Sequence, residues 1–189
     1  MQVQVTIQQE QILRAIVAAR AEIQAAVALF QAAIQQAGGG PVTLTADAIQ
    51  AVTLRLRATA QALAIFRSGQ VQIARVIVGG VDINAEQRQV VEAALAAAAA
   101  VDAALEAFQR LLLMAQTGGG QVTISQAAAQ MLLVSLQAVA ESLAALELRQ
   151  RQLIQVSTQT PPAGGGQVPP FQIPGLGLRF PQFPGFGGL

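Results

Sequence analysis

The sequence predicts an all-α protein: an up-down four-helix bundle of four repeats followed by a non-regular tail. Three observations carry this. A Val-(Thr/Asp)-(Ile/Leu)-polar motif recurs four times, at Val5-Thr6-Ile7-Gln8, Val42-Thr43-Leu44-Thr45, Val81-Asp82-Ile83-Asn84 and Val122-Thr123-Ile124-Ser125. Long Ala/Gln/Leu-rich stretches follow each motif. Glycine clusters close them, at 38–40, 79–80, 118–120 and 164–166. The motif starts lie 37, 39 and 41 residues apart, the signature of an internal repeat.

Each unit reads the same way. The β-branched triplet favours an extended backbone. The polar residue after it is a helix N-cap in three units, Thr45, Asn84 and Ser125, where a side-chain oxygen can accept from a first-turn amide. Gln8 is the weaker cap. Ile7 with Ile12, and Leu44 with Ile49, have the spacing of a hydrophobic staple. Strong helix formers follow, and glycine ends each run because the left-handed backbone costs it little. Acids at the starts (Glu10, Asp47, Glu86) and arginines toward the ends (Arg75, Arg110, Arg149, Arg151) suit the helix dipole.

These signals set helices at about 8–37, 45–78, 84–117 and 125–156, rods of ~45 Å, with a kink at Ser68-Gly69. The fourth helix carries Leu132, Leu136, Val139, Leu143, Leu146 and Leu153 at alternating steps of four and three, interrupted by Gln150. The third helix carries Val91, Leu95, Ala98, Val101, Leu105, Phe108 and Leu112. The first reads Ile12, Ile16, Ala19, Ile23, Val27, Phe30, Ile34, an eleven-residue period that implies straighter or right-handed packing. Short glycine-containing connections favour antiparallel neighbours. An offset of 80 residues aligns Val42 with Val122, Thr45 with Ser125 and Leu56 with Leu136, so the units also read as two hairpins. In an up-down bundle the triplets of units one and three share one end, and those of two and four the other. There they pair as small β-bridges or meet a neighbouring subunit's edge.

The chain divides into a bundle at 1–156 and a tail at 157–189. The last 33 residues hold seven of the eight prolines and four of the seven phenylalanines, and Arg179 is their lone charged side chain. Pro174-Gly175-Leu176-Gly177 returns ten residues later as Pro184-Gly185-Phe186-Gly187. Proline and glycine at this density oppose helix and central strand alike. Disordered linkers are usually polar and charged. This tail instead offers apolar anchors at Val168, Phe171, Ile173, Leu176, Leu178, Phe180, Phe183, Phe186 and Leu189. Extended, proline-set anchors bind grooves at low entropic cost. In composition the tail resembles those of assembling surface and spore-coat-type proteins.

The chemistry available is sparse. Histidine, cysteine, tyrosine and tryptophan are all absent, which removes the commonest general base and the strongest nucleophile. Asp102 and Glu106 with Arg110 read as a solvated face. The glycine clusters lack the Gly-Lys-Ser/Thr of a phosphate loop, there being no lysine at all. No enzyme, cofactor or metal site is expected. The arginines of the second helix form no stripe, so nucleic acid is not an expected partner.

Hydrophobic residues make up 53% and charged residues 11%, and the mean hydropathy is +0.49. Yet no run of 18 apolar residues occurs, so no transmembrane segment is expected, and no secretory signal is evident. The localisation stays open. The expectation is a structural, self-assembling subunit of filament, shell or coat type. The tail and the apolar helix faces would make a homo-oligomer. A lipid or polymer-granule surface is the alternative partner.

Overall fold

The computed structural model describes the backbone of residues 2–77 and 84–159, with side chains for 9–67 and 85–155. The protein is mostly helical. Its elements are α1 (Gln2–Gln36), β1 (Val42–Thr45), α2 (Ala46–Ile77), α3 (Asn84–Thr117), β2 (Gln121–Ile124) and α4 (Gln126–Gln159). α1 packs on α2 and on α4, and α3 likewise packs on α2 and on α4.

The second and fourth triplets are extended and pair with each other. β1 and β2 run antiparallel with Val42 opposite Ile124, Thr43 opposite Thr123 and Leu44 opposite Val122. The Thr43 and Thr123 hydroxyls lie 3.2 Å apart on the outer face, and the Ala46 amide adds a bond to the Gly120 carbonyl at 2.9 Å. Val42, Leu44 and Ile124 point the other way and are buried. The alternation of a half-buried strand thus sends apolar side chains inward and threonines outward. Glycines set up the turns that make this possible. After α3 the Gly120 amide donates to the Ala115 carbonyl at 2.8 Å, across Gly119 at φ 84°. That is the left-handed closure for which glycine is favoured.

Both described caps are made. The Ala48 amide donates to Thr45 Oγ1 at 3.3 Å, and the Ala128 amide to Ser125 Oγ at 3.2 Å. The first unit differs from its expectation. α1 already runs from Gln2, so Val5, Thr6 and Ile7 are helical, and Gln8 lies inside the helix rather than capping it. Residues 1–4, just before this triplet, include no glycine, whereas 38–40 and 118–120 stand before the extended ones. Without a stop, each residue added upstream gains a helical hydrogen bond, and the weak strand preference of Val-Thr-Ile loses. Val81 and Ile83 lie outside the described residues. α2 stays one helix across the Ser68-Gly69 position.

The dipole pattern is also weaker than expected. Asp47 and Glu86 do stand in first turns, but α1 has no acid there, and α1, α3 and α4 have no basic residue in their last turns. Arg110 and Arg151 instead reach back one turn, to Glu106 and Glu147.

The inward faces share one spacing. In α4 the buried line is Ala129, Leu136, Val139, Leu143, Leu146, Gln150 and Leu153. α2 buries Ile49, Val52, Leu56, Thr59, Leu63 and Phe66 at steps of three and four, with Thr53 buried beside Val52. Thr59 fits because its hydroxyl donates to the Arg55 carbonyl at 2.9 Å.

Two expected lines shift. α3 buries Gln87, Val90, Ala94, Ala97, Val101, Ala104, Phe108, Leu111 and Ala115, while Leu95 is exposed and Val91, Ala98, Leu105 and Leu112 only flank the core. α1 buries Ala26 rather than Val27. With Ala26 in place, steps of three and four run from Gln9 to Phe30, and the eleven-residue period disappears. In both helices a small residue occupies the contact line, letting the backbones approach, and larger neighbours lean over the edge. Steps of three and four, the spacing typical of coiled coils, therefore recur along the buried residues of all four helices.

Candidate interaction surfaces

Three features lie outside the plain core: the strand pair, a charged cluster between α1 and α4, and the outer face of α4. The strand pair brings together Val42, Leu44, Val122 and Ile124 of the expected end sites. Val42, Leu44 and Ile124 are turned into the core, so they serve the fold and present no apolar edge. Val5 and Ile7 are in α1. Val81, Ile83 and every tail anchor from Val168 to Leu189 lie outside the described residues.

The charged cluster centres on Glu147, which is nearly buried although it sits one residue past the contact line at Leu146. Arg20 of α1 donates to Glu147 Oε2 at 2.8 Å, and Arg151 of α4 donates to Oε1 at 2.7 Å. Burial pushes the carboxyl up. The two guanidinium groups, by hydrogen bonding and by charge, outweigh it and hold Glu147 below its usual range. A second interhelix pair joins Arg55 of α2 to Glu22 of α1 at 3.2 Å.

A lowered carboxylate pKa stabilises the fold above the unfolded value of about 4.3, and the contribution is lost as pH falls through the lower folded value. Glu147→Gln should therefore cost on the order of 1 kcal/mol at pH 7. The gap between variant and parent in urea unfolding should close as pH drops below about 4.3. A gap that stays constant down to the acid limit would assign the cost to packing instead.

The outer face of α4 is the feature the sequence reading missed. Met131, Val134 and Leu148 are exposed at 67%, 61% and 55%, comparable to Leu29 of α1 at 61% and Leu54 of α2 at 54%. With Ala138, Glu141 and Ala145 they form a second line at steps of three and four. The signal was present: two interleaved lines of that spacing in one helix mean two faces able to pack. Within Gln126–Gln155, α4 holds an 18-residue window with a mean hydropathy of 1.6, of which 22% is buried, so by length and composition alone it could cross a membrane, a test that the core helix of a bundle also passes. A count of consecutive apolar residues overlooked this, because Gln, Ser and Glu interrupt the run without lowering its mean enough. Leu113 and Met114 near the end of α3 are exposed as well.

No group of three or more metal-ligating side chains occurs among the described residues. No protein-family model, no curated protein and no solved structure matches the chain.

Proposed function

We propose that the chain is a structural subunit that self-assembles. Residues 1–156 act as the brick, an up-down four-helix bundle of four repeats. The tail at 157–189 acts as a docking arm onto its own or neighbouring subunits. The observation that carries this reading is the exposed apolar line on α4, in a chain with no histidine, cysteine, tyrosine or tryptophan to serve catalysis. Isolated surface apolar residues need no explanation, whereas an aligned set marks a contact face.

Support for the bundle comes from the cyclic packing, α1 on α2, α2 on α3, α3 on α4 and α4 on α1. Support for duplication comes from the strand register. The 80-residue offset carries Val42, Thr43 and Leu44 onto Val122, Thr123 and Ile124, and β1 pairs with β2 about Thr43–Thr123 as a local two-fold.

Deleting Gly164 to Leu189 should leave helical circular dichroism intact and abolish assembly in light scattering and negative-stain microscopy. Assembly that persists unchanged would sink the reading. A second reading, a helical protein on a lipid or polymer-granule surface, is favoured by the hydropathy and low burial of α4. Flotation of the full chain with liposomes or granules separates the two.

A further inference from the structure

We infer that two copies of the chain meet through the outer face shared by α3 and α4, antiparallel and about a two-fold axis. This rests on the chain being a self-associating four-helix subunit and adds the face by which copies meet. It asks nothing of the tail.

The ion pairs between helices locate that face. Arg20 and Glu147 mark the flanks on which α1 and α4 meet, and Glu22 and Arg55 those on which α1 and α2 meet. α4 therefore turns its other flank to α3. α1 and α3 both end at the strand pair, so they run the same way from opposite corners. α3 is then α1 turned by half a circle, which assigns its flank toward α4 as well. At ~100° per residue, the side of the two helices that points out of the bundle carries Glu92 and Arg110 on α3, and Glu141 and Arg149 on α4, all exposed.

These four charges are self-complementary in a single register. Glu92 and Arg110 stand five whole turns apart on α3 and point the same way, with Val101 midway. Glu141 and Arg149 stand about one turn to either side of Ala145 on α4. The Arg20–Glu147 pair and the Phe30–Phe108 contact place Val101 and Ala145 within about one turn of the same height. One two-fold axis crossing both helices at that height sets Glu92 against Arg110 of the second copy, and Glu141 against Arg149 of the second copy. Each pair occurs twice. Arg110 keeps Glu106 on its own helix and meets the second carboxylate from across the face. Ala99 then faces Ala103 of the second copy, and Ala145 faces its own equivalent, so small exposed side chains fill the middle.

The area suffices. α3 and α4 are 34 residues each, ~50 Å long, and side by side ~20 Å wide. Their overlap about this axis covers ~1,000 Å² on each copy, against the ~800 Å² per partner of a standard stable interface. Met131 and Val134, exposed in the single chain, come within it. The ion pairs fix register more than affinity.

The chain has no cysteine, so Ala145→Cys in the full chain installs one thiol at the position that meets itself on the axis. Mild oxidation should link it into a disulfide-bonded pair. Leu54→Cys, exposed on α2, should stay unlinked. Light scattering on a sizing column should give the mass of two copies. Glu141→Arg should weaken the pair about tenfold in Kd, and Arg149→Glu in the same chain should restore it. Both positions are exposed, so helical circular dichroism should not change.

The inference is overturned if Ala145→Cys links no faster than Leu54→Cys, or if the charge reversals leave the Kd where it was. A monomer whose face binds only added lipid vesicles overturns it too. Larger particles in which Ala145→Cys does not link would keep the assembly reading and sink this face. Linked pairs that grow no further would keep the face and sink assembly through the tail.

Discussion

Phe108→Ala should lower unfolding stability by about 3–5 kcal/mol, the largest loss expected from any single truncation in the described core. Phe108 is fully buried on the contact line of α3. Its ring meets Phe30 of α1 edge to face, with centroids 5.7 Å apart and planes at 72°. α1 and α3 each pack mainly on α2 and α4, so this aromatic pair bridges the core between two helices that are not principal neighbours. Alanine there loses the transfer free energy of the ring and leaves a cavity that helices held on several sides cannot easily close. The edge-to-face geometry itself is worth about 0.5–1.5 kcal/mol. A double-mutant cycle with Phe30→Leu should return a coupling of that size. Urea unfolding followed by circular dichroism checks both values. A loss below about 1 kcal/mol would mean the core relaxes around the missing ring and is not close-packed at this level.

The parts of this fold that the sequence made legible are those written in large or conformationally special residues. Glycine clusters placed the ends of α1 and α3. Thr45 and Ser125 placed the starts of α2 and α4. The Leu and Val line of α4 was read correctly from Leu136 to Leu153, including the polar interruption at Gln150, which is buried, whereas Leu132 is only half-buried. Each of these has a local cause that does not depend on the rest of the chain.

What was not legible depends on partners. Val5-Thr6-Ile7 and Val42-Thr43-Leu44 have nearly the same strand preference, yet one is helical and the other extended. The deciding factors, a glycine stop before the triplet and a strand to pair with, lie outside the triplet. Gln9 and Gln87 open the buried lines of α1 and α3, although glutamine is usually exposed. With Gln150 they put amides on three of the four contact lines. A polar group on such a line lowers stability while penalising wrong registers. The outer line of α4 was hidden for a different reason. A helix needs one apolar face to fold, so a second face is visible only after the first has been assigned.

Alanine is the sharpest case, and it yields the second large effect. Ala96 to Ala100 are five identical residues, and sequence alone cannot rank them. In the fold, Ala97 is fully buried, Ala98 and Ala100 are half-buried, and Ala96 and Ala99 are exposed. A leucine scan across the run should therefore give a profile rather than a constant. At Ala96 and Ala99 leucine is nearly as good a helix former as alanine, so unfolding stability should move by only a few tenths of a kcal/mol. At Ala97 the added atoms enter the contact line between α3 and its neighbours, and overpacking should cost about 1–3 kcal/mol or more. Intermediate losses belong at Ala98 and Ala100. If alanine were present only for helix propensity, the five positions would respond alike. A dip confined to Ala97, with a second at Ala94 one step along the same line, is what close backbone approach requires. A flat profile would mean that the helices stand farther apart and that the larger residues at Val91, Leu95 and Leu105 make the contact after all.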